Sequence, residues 1–188
     1  MYDYMDPADV EFFAEKRAVT IVPNFTLAKL YMIGGDVGPF SAAVAVDDVP
    51  LWLAVNLKRR QKCRITPPAW MNVEALEATK QAEIDSELFT EMPDEFYVEV
   101  SQLLLNVAAD DIPRADDVRT LVKDIWDLRM SKLRSSVDLF VKSDSTNAKL
   151  NFLTLMELNT VRPFLTQALN EMHLLRENLT GAPTRPDH

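Results

Sequence analysis

The sequence holds one cysteine, four glycines and two histidines in 188 residues, and each shortage excludes something. A lone thiol, Cys63, forms no internal disulfide and suits a reducing compartment. With only His173 and His188 beside it, the chain supplies neither a zinc ligand set nor a Cys–His pair. The stretch Gly34-Gly35-Asp36-Val37-Gly38 lacks the Lys-Ser/Thr ending of a phosphate loop and the spacing of a dinucleotide fingerprint. It reads as a hairpin turn. Apolar runs reach only five residues, as in Leu51 to Val55, against the ~20 needed to span a bilayer. The first six residues have neither a basic nor an apolar signal region, so a soluble intracellular protein with no membrane partner is expected. Positive charge is in deficit, with 20 Lys and Arg against 29 Asp and Glu, net −9, which argues against wholesale nucleic-acid binding.

What is present is apolar and helix-prone. Hydrophobic residues make up 47%, and a chain of this length buries roughly 70% of its unfolded surface, enough for one large domain or two small ones. Charge divides the chain in three. Residues 1–70 balance eight basic against eight acidic side chains, residues 71–117 set two against thirteen, and residues 118–188 set ten against eight. The acidic middle contains Asp94-Glu95, Asp110-Asp111 and Asp116-Asp117. Neighbours on a helix diverge by ~100°, so such pairs do not converge on a metal and read as solvated or helix-start acids. No catalytic, cofactor-binding or metal-ligating residue is assigned.

The pattern changes near Pro67-Pro68. Before it, Asp6 caps a short helix with Pro7 in first position, ending near Arg17. Short β-type runs follow at Val19–Val22 and Leu30–Ile33, then a helix from Pro50 through Leu57 and a returning strand at Cys63–Ile65. After it, Asn72 caps a helix to about Glu87, and Tyr97, Val100, Leu103, Leu104 and Val107 share one helical face. The longest helix has Pro113 in its first turn, runs about 42 Å at 1.5 Å per residue, and carries an apolar stripe from Val118 to Phe140. Thr154-Leu-Met-Glu157 is a capping box, and Thr160 caps a last helix carrying Pro163 in its first turn. The expected fold is α+β, mostly α. A small β-rich domain spans 1–66, a larger helical-bundle domain 67–180, and a flexible tail 181–188.

Two features stand out as candidate partner surfaces. Lys58, Arg59, Arg60, Lys62 and Arg64 place five cations in seven residues. Such a run is either the C-terminal end of the Pro50 helix, complementing its dipole, or a docking surface for an acidic partner or nucleic acid, or an import signal. The long helix carries apolar residues on more than one face around Trp126, which implies two partners.

Several stretches together resemble the DNA replication complex GINS subunit family, in the branch called the second partner of Sld-five. They are Ile21-Val-Pro-Asn-Phe25, Ile33-Gly-Gly-Asp-Val-Gly-Pro-Phe40, Val49-Pro-Leu-Trp-Leu-Ala-Val-Asn-Leu-Lys58, Gln61-Lys-Cys-Arg64, Pro67-Pro68 with Trp70-Met71, Arg119-Thr-Leu-Val-Lys-Asp-Ile-Trp-Asp127 and Leu153-Thr-Leu-Met-Glu-Leu-Asn159. The likeness runs in order from residue 6 to about 179 and departs at Asn151-Phe152, where the family usually has a polar pair. It implies a nuclear, non-catalytic scaffold without cofactor, one of four subunits of a heterotetramer. That complex joins the MCM motor and a RecJ-like cell-division-cycle protein into the active replicative helicase, with DNA contacted mainly through the helicase. Arg119, Lys123, Trp126 and Arg129 on the long helix, with Arg162 and Phe164 beyond it, are the expected subunit contacts, and Lys58 to Arg64 a partner-facing surface. The alternative is a nucleic-acid-binding adaptor using the same basic run.

Overall fold

The computed structural model describes residues 5–32, 35–142 (137–142 as helix backbone) and 151–162. Helix α1 (Pro7–Ala14) starts where the sequence says it should: Asp6 Oδ1 accepts from Ala8 N at 3.0 Å, and Asp9 Oδ2 accepts from Asp6 N at 3.1 Å. It stops three residues short of Arg17. Strand β1 (Ala18–Pro23) is central in a three-stranded antiparallel sheet of order β2-β1-β3, with β2 (Val46–Pro50) and β3 (Cys63–Thr66) on its flanks. Ile21 sits opposite Val46 on one side and Ile65 on the other. Val19, Ile21 and Pro23 are buried in alternation, as a half-covered strand requires.

One local expectation fails here, and one strand goes unannounced. Over Leu30–Met32, the described part of the expected Leu30–Ile33 run, there is no strand: among the described residues this stretch makes the isolated bridges Leu27 with Phe40 and Leu30 with Val37. Strand β2 was hidden by Asp47 and Asp48, since Asp is depleted in strands and Asp48 adopts a left-handed φ of 58°. Helix α2 (Leu51–Arg59) then ends in a Schellman turn. Lys62 N donates to Leu57 O at 2.9 Å and Gln61 N to Lys58 O at 2.8 Å, with Gln61 at φ 56°.

The helical part follows. Asn72 Oδ1 caps α3 (Val73–Asp85) by accepting from Ala75 N at 2.8 Å. Helix α4 (Tyr97–Val107) leads through a 3-10 turn (Ala109–Asp111) to the 28-residue α5 (Ala115–Lys142). Pro113 lies before α5 and not inside its first turn, because Arg114 takes a left-handed φ of 53° and the helix begins after it. A helix over 155–162 (α6) follows the Thr154 capping box. Thr160 does not start a new helix: its hydroxyl donates back to Met156 O at 2.8 Å inside α6. Pro163, Phe164, His173 and the expected last helix and tail lie outside the described residues.

The fold is therefore α+β and mostly helical, with α3 and α4 packed along α5 and the sheet gathered near the N-terminus. One apolar core runs through both parts, from Val10 and Ile21 through Leu53 and Leu104 to Ile125. Helices α1 and α2 of the β-rich part pack on α4.

Candidate functional site

Three arrangements gather the polar residues that matter. The first is a buried ionic centre under α5. Arg129 is 0% exposed, and all five of its N–H groups are used. Its Nε donates to Glu157 Oε1 at 2.6 Å and its Nη2 to Glu157 Oε2 at 2.9 Å and Phe152 O at 2.7 Å. Its Nη1 donates to Glu83 Oε2 at 2.9 Å and Thr90 O at 3.0 Å. Lys132 Nζ completes the set, 2.7 Å from Glu83 Oε1 and 2.6 Å from Glu83 O, where it neutralises the C-terminal end of α3.

Two cations face two carboxylates, so the centre carries no net charge. Burial alone would push the Glu83 carboxyl up; hydrogen bonds from Lys132 and Thr90 and the charge of Arg129 overcome it and hold Glu83 below the usual range. Burial opposes the Arg129 cation too, and Glu157 outweighs that, holding its pKa above the ordinary value. Glu157 Oε2 also accepts from Thr154 N at 2.8 Å, so one residue serves both as capping-box partner and as counter-ion. Phe152, at φ 64°, turns its carbonyl to Arg129 from a left-handed backbone. This overturns the reading of Arg129 as a subunit contact: the side chain stitches α3, α5 and α6 together from inside. Nothing in the sequence marked Glu83; the capping box did mark Glu157.

The second arrangement is the seam between the β-rich part and α4. Lys58 Nζ and the backbone N of Ile65 both donate to Asp111 Oδ2, at 2.7 and 2.8 Å. Lys58 is thus turned inward and committed, and Asp111 belongs to the interior and not to a solvated acidic face. Arg59, Arg60 and Lys62 are exposed, and Arg64 is 81% exposed, 3.8 Å from Asp111. A cavity of about 950 Å³ opens beside them, lined by Asn24, Arg59, Gln61, Cys63, Arg64 and Asn106 among others. Burial pushes the Cys63 thiol up to about 11.

The third is a groove of about 450 Å³ between α4, α5 and α6. It brings together Arg119, Lys123 and Trp126, three of the residues singled out on the long helix. Arg119 Nη2 donates to Leu105 O at 3.2 Å and the residue is otherwise exposed, as is Lys123. Arg162 lies on α6 and is exposed. Among the described residues no group of three or more His, Cys, Asp and Glu is placed to hold a metal, and no helix is long and apolar enough to cross a membrane.

Comparison with known proteins agrees with the resemblance read from the sequence. Residues 6–66 match the PSF2 N-terminal domain, and residues 70–175 match the GINS complex protein helical bundle domain. The DNA replication complex GINS protein PSF2 of Homo sapiens is 59% identical over 175 residues, 93% of this chain and 94% of the human protein. Its Xenopus laevis counterpart is 58% identical over the same length and shares. The probable DNA replication complex GINS protein PSF2 of Drosophila melanogaster is 47% identical over 183 residues, 97% of this chain and 89% of the fly protein. With both parts of the chain matched in order and these identities over nearly its whole length, the chain belongs to the PSF2 family of GINS complex proteins.

Proposed function

We propose that the chain is a non-catalytic scaffold subunit of the heterotetrameric GINS complex in DNA replication, working in the nucleus with three sister subunits. In this reading the tetramer joins the MCM hexamer to its RecJ-like cell-division-cycle partner and so completes the replicative helicase, meeting DNA mainly through the motor. The observation that carries it is the 59% identity to a replication-complex protein over 93% of the chain. Residues 1–66 act as the partner-facing β-rich domain and 67–180 as the assembly domain. A scaffold works through binding energy that differs between two states of its partner, which needs surface and no reactive group. Arg119, Lys123 and Trp126 offer such surface on the bundle; Arg162 is a further contact on α6, and Phe164 is assigned to the same interface on sequence grounds.

Native mass spectrometry of the chain alone and co-expressed with three sister GINS subunits tests this. A one-to-one-to-one-to-one particle is expected; a stable monomer indifferent to those partners refutes it. One observation favours a second reading: Arg59, Arg60, Lys62 and Arg64 stay accessible from the end of α2 to the start of β3. Direct DNA binding through them predicts affinity that falls steeply with salt and is lost when Arg59 and Arg60 become Gln.

A further inference from the structure

The cavity at the seam between the β-rich part and α4 is shaped before any ligand arrives. Asn24 ties its rim together: the backbone N donates to Lys62 O at 2.9 Å and Nδ2 donates to Gln61 O at 2.7 Å. Ala43 N donates to Pro23 O at 2.9 Å. Ala43 and Gln61, both on the cavity wall, hold left-handed φ values of 63° and 56°. Residues other than glycine keep such angles where their surroundings fix them, and they gather at binding sites. The volume of about 950 Å³ lies at the upper end of the roughly 300–1,000 Å³ of ligand pockets, room for several linked groups.

The wall offers two polar chemistries over an apolar base of Val22, Pro23 and Val107. Arg59 and Arg64 are exposed guanidiniums. Arg59 has no ion pair among the described residues. The carboxylate beside Arg64, that of Asp111 at 3.8 Å, is already engaged by Lys58 and by the backbone N of Ile65. The side-chain amides of Gln61 and Asn106 make no hydrogen bond among the described residues. An amide both donates and accepts, as the backbone of an extended peptide requires of its neighbours.

We infer that this cavity receives an extended acidic peptide segment of a partner protein, its Asp or Glu side chains held by Arg59 and Arg64 and its backbone by Gln61 and Asn106. This rests on the scaffold reading, in which residues 1–66 face a partner, and it names what that face takes. A guanidinium meets a carboxylate through two parallel hydrogen bonds, so two arginines select for a pair of acids. A nucleic-acid strand fits less well. Its bases stack on aromatic rings, and no aromatic side chain lines the cavity among the described residues. Asp110 stands on the wall, where a strand charged at every unit is repelled, whereas a peptide places a neutral residue there.

The test titrates the co-expressed four-subunit assembly against a fluorescein-labelled octapeptide of alternating Glu and Ala, read by fluorescence anisotropy. A matching Gln and Ala peptide and an oligothymidine of equal length are the comparisons. The Glu peptide should bind and the Gln peptide should not. R59Q/R64Q should weaken binding about tenfold, while R60Q/K62Q, which removes the same charge from residues outside the wall, should change it less than about twofold. Equal loss in the two double variants overturns the inference, because it reports diffuse attraction to the basic run. So do binding that R59Q/R64Q leaves unchanged, no binding of the Glu peptide, and tighter binding of the oligothymidine. The scaffold reading survives all four, since it is read from formation of the particle. Failure of the unaltered chain to join any assembly overturns both.

Discussion

Replacing Arg129 by Met separates an internal role from a surface role. The five hydrogen bonds of Arg129 go to two carboxylates and two carbonyls in a site without solvent contact. At roughly 1.5–3 kcal/mol for each charged hydrogen bond the raw sum is about 10 kcal/mol, but desolvating the guanidinium and both carboxylates cancels most of it. What the substitution reads is the cost of leaving Glu83 and Glu157 buried without their common cation, about 3–5 kcal/mol. Lys132 still faces Glu83, whereas Glu157 keeps no cation in this set, so Glu157 takes the larger share. For a chain of this size about 2–4 °C of Tm accompanies each kcal/mol, giving a drop of roughly 6–20 °C. The assay is thermal unfolding of the co-expressed assembly, with the double variant R129M/E157Q alongside. The double variant should recover part of the loss, because it removes the stranded charge. R129E would add a third carboxylate to the centre and should prevent stable folding of this chain. A drop below about 2 °C for R129M, or loss of assembly with an unchanged Tm, would refute the internal assignment.

Three further outcomes follow from the geometry. Cys63, with its thiol pushed up to about 11, is about 0.1% thiolate at pH 8, so native protein should resist maleimide while guanidinium-unfolded protein labels fully; native labelling within minutes would contradict its burial. Burial pushes the Glu99 carboxyl up, with Asp94, Glu157 and Glu11 adding to it, and its Oε1 has no partner among the described residues. Its contribution is therefore favourable at low pH and lost as pH rises through the raised value. Glu83, held low, contributes above the ordinary carboxylate range near ~4.3 and loses this as pH falls. Thermal unfolding between pH 4 and 8 should show E99Q gaining stability most at the high end, and E83Q losing most there; parallel pH curves for the two variants would be incompatible with these signs. Gln61, at φ 56° in the turn closing α2, should gain about 1 kcal/mol when replaced by Gly, measured by urea unfolding, with the Asn24 Nδ2 to Gln61 O bond retained.

Much of this architecture was legible because its signals are local. Asp6, Asn72 and Thr154 announce helix starts through side chains reaching three residues or fewer, and the stripe of α4 repeats along one face. Strand β2 was not legible, because two aspartates interrupt its alternation and its pairing with β1 is long-range. The basic run was visible as charge, yet nothing in it said that Lys58 alone turns inward, since Asp111 lies 53 residues away. The same blindness applied to Arg129: its position on α5 suggested a contact, and only the arrival of Glu83 and Glu157 from distant segments shows which kind. Arg119, Lys123 and Trp126, spaced three to four residues apart on the same helix, were legible as a set because helical geometry alone places them on one side.

The core shared by the sheet and the bundle bears on inheritance. A missense change at Leu53 and one at Leu104 lie in different family domains but remove the same packing, so both should act through the amount of folded chain and not through separate activities. Losses of 1–2 kcal/mol of this kind alter abundance several-fold in cells. Alleles on either side of Pro67 should therefore fail to complement one another, and extra gene dosage should suppress both alike.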